Sequence, residues 1–257
     1  MPHIPGRLRR FFVPSVRAGT LLQAMRELPI VDLDGLLNHR PVLVLAPHPD
    51  DETLGCGGFI AECHARGRNV HVLILTDGTG SHRRSKTYPP PRLASLRATE
   101  ARMAIAALNL PEDRIGFLGF PDGRLPLRGK RMSSAAARIA AYARERGVGT
   151  ICTTWQHDPH HDHRAAYILG RTASDELGVK LLCYPVWGWT VPTTAWLPAT
   201  VVRGGRLDIT NQLASKQLAI DCYRSQTSDL IGDDPGGFRL SPEVLAIFRS
   251  PFEVLVE

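Results

Sequence analysis

The stretch Pro41-Val-Leu-Val-Leu-Ala46-Pro47-His48-Pro49-Asp50-Asp51-Glu52 decides how this chain folds. Its first half is an uninterrupted apolar run, the mark of a strand buried on both faces. Two prolines then end the strand, because neither can donate to a sheet ladder. His48 and three adjacent carboxylates therefore turn out of the sheet at its carboxyl edge. Gly55, Gly57 and Gly58 follow, so the next helix can start close against the sheet.

Outward from this stretch the pattern is regular. Helical periods are expected over residues 53–66, 91–108, 133–146 and about 163–177, and strands over 70–76, 115–118, 150–154 and 180–185. Strands alternating with helices of this length mean βαβ units. The expected fold is α/β: one Rossmann-like domain, a mostly parallel sheet with helices on both faces. After Trp187 the rhythm changes. Val201-Val202 and residues 206–209 flank Gly204-Gly205, a hairpin signal. A helix over 211–222, a short helix near 242–248 and a strand over 252–256 complete a C-terminal hairpin and helix extension. The domain is expected over residues 41–257.

Residues 1–40 read as an N-terminal lead-in arm, with a short amphipathic helix near 20–28. Basic residues from Arg7 onward offer the arm a peripheral contact with an anionic membrane; packing on the domain's own surface is the plainer reading. Pro14, Arg17 and Gly19 interrupt any leader-like apolar stretch, so no signal peptide is expected.

The chain has 257 residues, of which 43% are hydrophobic and 22% charged, which excludes wholesale disorder. No apolar run approaches the roughly 18 residues of a membrane span. Net charge is +6, from 31 basic and 25 acidic residues. That excess is modest and fits a solvated basic surface. Aromatics do not interleave with the cations and no DNA or RNA motif is present, so nucleic acid is not an expected partner. Five cysteines without a CxxC pair argue against disulfides and Cys-type zinc, and point to the cytoplasm.

Three adjacent acids repel one another unless a cation or hydrogen bonds hold them. His48 and Asp51, three apart across a turn, can face one ion, leaving Asp50 free for proton transfer. Helix capping by Asp50 or Asp51 is the structural alternative. A second constellation, His157-Asp158-Pro159-His160-His161-Asp162-His163, follows the strand over 150–154, again at a carboxyl end. There His160 and His163 share a helical face, and His161 points away. Together the loops supply His48, Asp51 and His163, three N/O ligands with an open position, the pattern of a catalytic zinc. Iron or another divalent ion would fit similar ligands. Asp50 is the candidate base, and His160 the candidate stabiliser or acid for a tetrahedral species.

Ala46-Pro-His-Pro-Asp-Asp-Glu52 with His160-x-Asp162-His163 resembles the PIG-L/LmbE-like N-deacetylases. Thr76-Asp77-Gly78, Arg97-x-x-Glu100, Pro121-Asp122-Gly123, Tyr184-Pro-Val-Trp187 and Tyr223-Arg-Ser-Gln226 are similar to further landmarks of that family. The resemblance implies zinc-dependent removal of an N-acetyl group from an N-acetylglucosamine-type sugar on a lipid or small-molecule carrier. It makes His48, Asp51 and His163 the metal ligands and Asp50 the base. His160 becomes oxyanion stabiliser and general acid, tuned by Asp162. Arg97 becomes a substrate-positioning residue, with an ion pair to Glu100 as the alternative, and Asp122 a lining residue of the sugar pocket. Two positions depart from the pattern: His161 stands where many members have proline, and Asp158 where some have tyrosine. The basic loop over 81–90, with Arg83, Arg84 and Lys86 and with His82 and Tyr88 as lid contacts, could close over the pocket and meet an anionic group on the substrate; a mobile surface loop is the alternative. Competing readings are the same hydrolase build acting on another N-acyl amide, and a non-catalytic anion- or nucleotide-binding Rossmann-like module.

Overall fold

Where the sequence alternates apolar runs with amphipathic ones, the chain alternates strands with helices. The computed structural model describes residues 14–257. The chain runs β1 (Ser15–Arg17), α1 (Ala18–Arg26), β2 (Ile30–Val31), α2 (Leu33–Leu36), β3 (Val42–Ala46), α3 (Asp51–Ala65), β4 (Val70–Thr76), α4 (Pro90–Ala107), β5 (Ile115–Phe120) and α5 (Gly129–Glu145). It continues through β6 (Thr150–Thr154), α6 (His161–Leu177), β7 (Lys180–Tyr184), β8 (Trp196–Pro198), β9 (Gly204–Asp208), α7 (Leu213–Asp221), α8 (Arg224–Thr227), α9 (Pro242–Ile247) and β10 (Phe252–Val256).

The main sheet has eight strands in the order β2-β9-β10-β7-β6-β3-β4-β5. The block β5-β4-β3-β6-β7 is parallel throughout. Every residue of β3, β4 and β6 is buried, which is why β3 and β4 run largely apolar without alternation, while β6 buries three threonines. One face packs Leu54, Phe59, Ala101 and Ile105 against Val44, Val72 and Ile74. The other packs Ile139, Ala140, Ala166 and Leu169 against Leu43, Leu45 and Leu73. The chain leaves β3 toward β4 on one side and reaches β6 on the other. The strand order therefore reverses between β3 and β6, the switch point where a doubly wound sheet leaves a crevice at its strand ends.

The glycine pair does not make a hairpin. Residues Val201 and Val202 lie outside any strand, and β9 pairs antiparallel with β10 and parallel with β2. The glycines serve close approach instead of a turn. Gly204 has φ 129°, and a Cβ there would meet Leu255 O at 2.1 Å. A Cβ on Gly205 would meet Val31 Cγ2 at 2.2 Å. The antiparallel β10 thus joins the edge pair β9–β2 to the parallel block through β7. Helix α1 buries Leu21, Leu22 and Met25 against Trp155, Val254 and Val256. The basic cluster near Arg7 lies outside the described residues. Among the described residues no helix is long and apolar enough to cross a membrane.

Candidate active site

The loops after β3 and β6 meet at the switch point. His48, Asp50 and Asp51 come from the first loop and the start of α3; Asp158, His160, Asp162 and His163 come from the second loop and the start of α6. Asp51 Oδ2 lies 3.0 Å from His48 Nδ1 and 3.1 Å from His163 Nε2. Donors about 2.0–2.1 Å from a tetrahedral ion stand roughly 3.3 Å apart, so each of these two separations suits a pair of ligands on one ion. His163 is fully buried, yet neither ring nitrogen makes an aligned hydrogen bond. An imidazole left unsatisfied by the protein alone suits a metal ligand. Among the described residues, the groups whose ligand atoms all lie within 4.8 Å of one another are His48, His160 and His163, and His48, Asp122 and Asp162.

The ring nitrogens of His48 and His163 that do not face Asp51 are backed by carboxylate. His48 Nε2 lies 3.2 Å from both Asp122 Oδ1 and Asp162 Oδ2. His163 Nδ1 lies 3.3 Å from Asp158 Oδ1. These acids are themselves anchored. Asp162 accepts the N–H groups of Gly123 and Leu125, and Asp122 accepts that of Gly80. Asp158, wholly buried, accepts the N–H groups of His160, Val186 and Gly188. Carboxylates in this position orient a ligating imidazole and raise its basicity. Burial lowers the His163 pKa, but Asp51 and Asp158 more than offset it and push it up to about 9.

The Asp162 carboxylate therefore supports His48 and not His160. It is the Asp162 backbone N–H that donates to His160 Nδ1, at 3.2 Å. That bond requires an unprotonated Nδ1, so the neutral ring carries its proton on Nε2. Burial, then the neighbouring imidazoles of His48 and His163, lower the His160 pKa and favour that neutral form. His161 turns to Leu125 O and half-faces solvent, and His157 stacks edge-on against Trp155, away from the cluster.

Asp50 occupies the N-cap position of α3 but makes no cap hydrogen bond. Its backbone sits at φ 132°, ψ −31°, a conformation costly for a residue with a Cβ, on the order of 1–3 kcal/mol. Arg97 holds it there. One guanidinium nitrogen donates to Asp50 Oδ2 at 2.9 Å and to Pro49 O; the other reaches Gly78 O at 3.1 Å. Glu52 Oε2 accepts the Asp50 N–H at 3.2 Å, and Glu52 in turn accepts from the hydroxyls of Thr53 and Tyr223. Burial pushes the Asp50 carboxyl up to about 8, against the pull of Arg97. The Arg97–Glu100 pair does not form, because Glu100 accepts the N–H and hydroxyl of Ser225 at 2.7 and 2.6 Å. Arg97 thus braces the Asp50 carboxylate from behind while lining the same cavity.

That cavity measures about 310 Å³. His48, Asp50, Asp51 and His160 lie along it with Asp122 and Arg97, and Trp187 and Phe238 give it an aromatic side. Those two rings stack edge to face, centroids 5.6 Å apart. Phe238 had no signal in the sequence, since it lies in an aperiodic Asp- and Gly-rich loop far along the chain. The loop over 81–90 is clasped rather than free. Asp233 accepts from the Ser85 hydroxyl and the N–H groups of Lys86 and Thr87, and Asp234 accepts the N–H of Arg84.

A doubly wound sheet with a carboxylate–imidazole centre at its switch point defines the class: an α/β protein with a metal-type site at the strand ends. The chain belongs to the PIG-L family, whose description is GlcNAc-PI de-N-acetylase and whose match covers residues 43–174. It is 30% identical over 142 residues to a diacetylchitobiose deacetylase of Thermococcus kodakarensis, over 54% of this chain and 51% of that protein. It is 26% identical over 180 residues to a 1D-myo-inositol 2-acetamido-2-deoxy-alpha-D-glucopyranoside deacetylase of Rhodococcus erythropolis, covering 60% of each. The matches thus span about half to three-fifths of these relatives. Among solved structures, an N,N'-diacetylchitobiose deacetylase from Pyrococcus horikoshii, complexed with an inhibitor, superposes with a TM-score of 0.66. The superposition has 19% identity and covers 92% of this chain and 90% of that one. At that identity the likeness shows the fold.

Proposed function

We propose that this protein is a metal-dependent hydrolase that removes the N-acetyl group from an N-acetylglucosamine-type sugar conjugate. The observation that carries the reading is the convergence of His48, Asp51 and His163 beside the uncapped, Arg97-braced Asp50. The similar proteins named as deacetylases of acetamido sugars support it. His48, Asp51 and His163 would hold the ion, taken to be zinc, with ferrous iron as an alternative. When bound, such an ion polarises a carbonyl and makes water a stronger acid.

Asp50 takes a proton from the attacking water, whose oxygen bonds to the acetyl carbon. Neutral His160 donates its Nε2–H to the developing oxyanion. The carbon–nitrogen bond then breaks, and the proton held by Asp50 passes to the departing amine. The Arg97 guanidinium on Asp50 Oδ2 favours the ionised carboxylate that takes the first proton. The general-acid role expected of His160 falls to Asp50 in this scheme, because a neutral imidazole is a weak acid. The Trp187–Phe238 side of the cavity offers an apolar surface to a sugar ring. The five unpaired cysteines support a cytoplasmic setting.

The test is metal content by elemental analysis, paired with acetate release from N-acetylglucosamine conjugates, on wild type and Asp50→Asn. About one metal ion per chain is expected in both, with acetate release falling roughly 10²–10⁴-fold in the variant. A metal-bearing wild type that releases no acetate overturns the acetamido-sugar substrate. A metal-free protein overturns the hydrolase.

A further inference from the structure

We infer that the substrate carries an anionic group, a phosphate ester or a carboxylate, within a few bonds of its acetamido sugar ring, and that Arg83 receives it. The inference rests on the deacetylase reading for the sugar, and on separate observations for the anion.

Arg83 is exposed and lines the cavity that holds His48 and Asp50. Its guanidinium reaches over Gly123, where a Cβ would meet Nη2 at 3.2 Å. Among the described residues, no carboxylate lies within ion-pairing distance of it, whereas Arg97 in the same cavity is paired with Asp50. This unpaired state is built in. The two acids packed against its loop, Asp233 and Asp234, are turned to the loop backbone and to Ser85. They fix the loop without neutralising Arg83. The loop backbone that carries this guanidinium is already fixed, and its forked donors suit a phosphate or carboxylate.

Cavity size places the anion. About 310 Å³ is at the small end for ligand sites, enough for one sugar ring rather than a chain of them. The acetamido group must reach the His48–His163 end. The guanidinium at that end, Arg97, is already paired with Asp50, beside Asp51 and Asp122, so it is not free for an anion on the substrate. The exposed end, with Arg83 on one side and Phe238 on the other, is where whatever is joined to the ring emerges. A negative group within a few bonds of the ring emerges on the side that Arg83 lines.

Titration calorimetry of the full chain tests this without requiring turnover. The probes are N-acetylglucosamine 1-phosphate, N-acetylmuramic acid and methyl N-acetylglucosaminide, against wild type and Arg83→Gln. At least one anionic probe is expected to bind wild type ten-fold or more tightly than the neutral one, and which of the two does so distinguishes phosphate from carboxylate. That preference is expected to collapse in Arg83→Gln and to return largely in Arg83→Lys. No anion preference in wild type, or a preference that survives in Arg83→Gln, overturns the inference. An Arg83-dependent preference in a protein that releases no acetate from any probe leaves the anion subsite standing and rejects the deacetylase reading instead.

Discussion

A carboxylate behind an imidazole fixes its tautomer and strengthens it as a ligand, and Asp158 stands in that relation to His163. Its other oxygen accepts two backbone N–H groups, so the carboxylate cannot rotate away. Asp158→Asn keeps an acceptor and the side-chain volume but removes the charge. Metal affinity is expected to fall about 10–100-fold, read by competition with a chelator, beside a fall in melting temperature, because the new amide nitrogen must face a buried backbone N–H. Unchanged metal affinity would mean that Asp158 only ties its loop together. Spacing alone makes His48, Asp51, His160 and His163 readable as a cluster, since they lie within single turns at the ends of neighbouring strands. Spacing does not reveal which acid backs which ring. Asp162 is next to His163 in sequence, yet its carboxylate supports His48, because the start of α6 turns it across the crevice. Arg97 was readable as functional but not as the brace of Asp50, a contact spanning 47 positions.

Helix α3 shows how glycine carries an element to its place. A Cβ on Gly55 would lie 2.1 Å from the Tyr184 ring, and Tyr184 is pinned by its hydroxyl donating to Leu45 O at 2.7 Å. The helix that begins with Asp51 can approach the sheet this closely only because Gly55 has no side chain. Gly55→Ala is therefore an overpacking change beneath the metal-type centre, costing about 1–3 kcal/mol. For a chain this long that is a fall of roughly 2–12 °C in melting temperature, measurable by calorimetry. Because the helix must move to relieve the clash, acetate release should fall more than the loss of folded protein explains. An unaltered melting temperature would show that the sheet yields at Tyr184. The run Gly55-x-Gly57-Gly58 suggested close packing from the sequence, whereas Gly204-Gly205 suggested a turn and instead marks a close approach. Both pairs report a missing Cβ; only the neighbouring chain says what fills the space.

At the scale of the molecule, the mostly parallel sheet with helices on both faces was readable because its central strands β3 and β4 are buried, largely apolar runs and each connection is a long helix. The edge was not, because β2, β9 and β10 meet from three distant parts of the chain, and no local pattern specifies such pairing. The far end of the sheet from the site bears on stability. His71, near the start of β4, lies with Nε2 3.2 Å from an Arg114 guanidinium nitrogen. Arginine only donates, so the ring must accept and stay neutral. Burial, then the charges of Arg114 and Arg146, pull its pKa down to about 4, against a small opposing effect of Asp113. The unfolded chain, with histidine near 6.5, binds the proton more readily. Stability from the neutral ring is therefore complete above pH 6.5 and is lost as pH falls from 6.5 toward 4. With partial solvent screening the loss is on the order of 1–2 kcal/mol. His71→Gln keeps an acceptor for Arg114 and removes the titration. The melting temperatures of wild type and variant should differ most near pH 7 and converge by roughly 2–8 °C as the pH is lowered to about 4. A difference that stays constant with pH would show that the His71 pKa is the same in the folded and unfolded chain and that Arg114 points elsewhere.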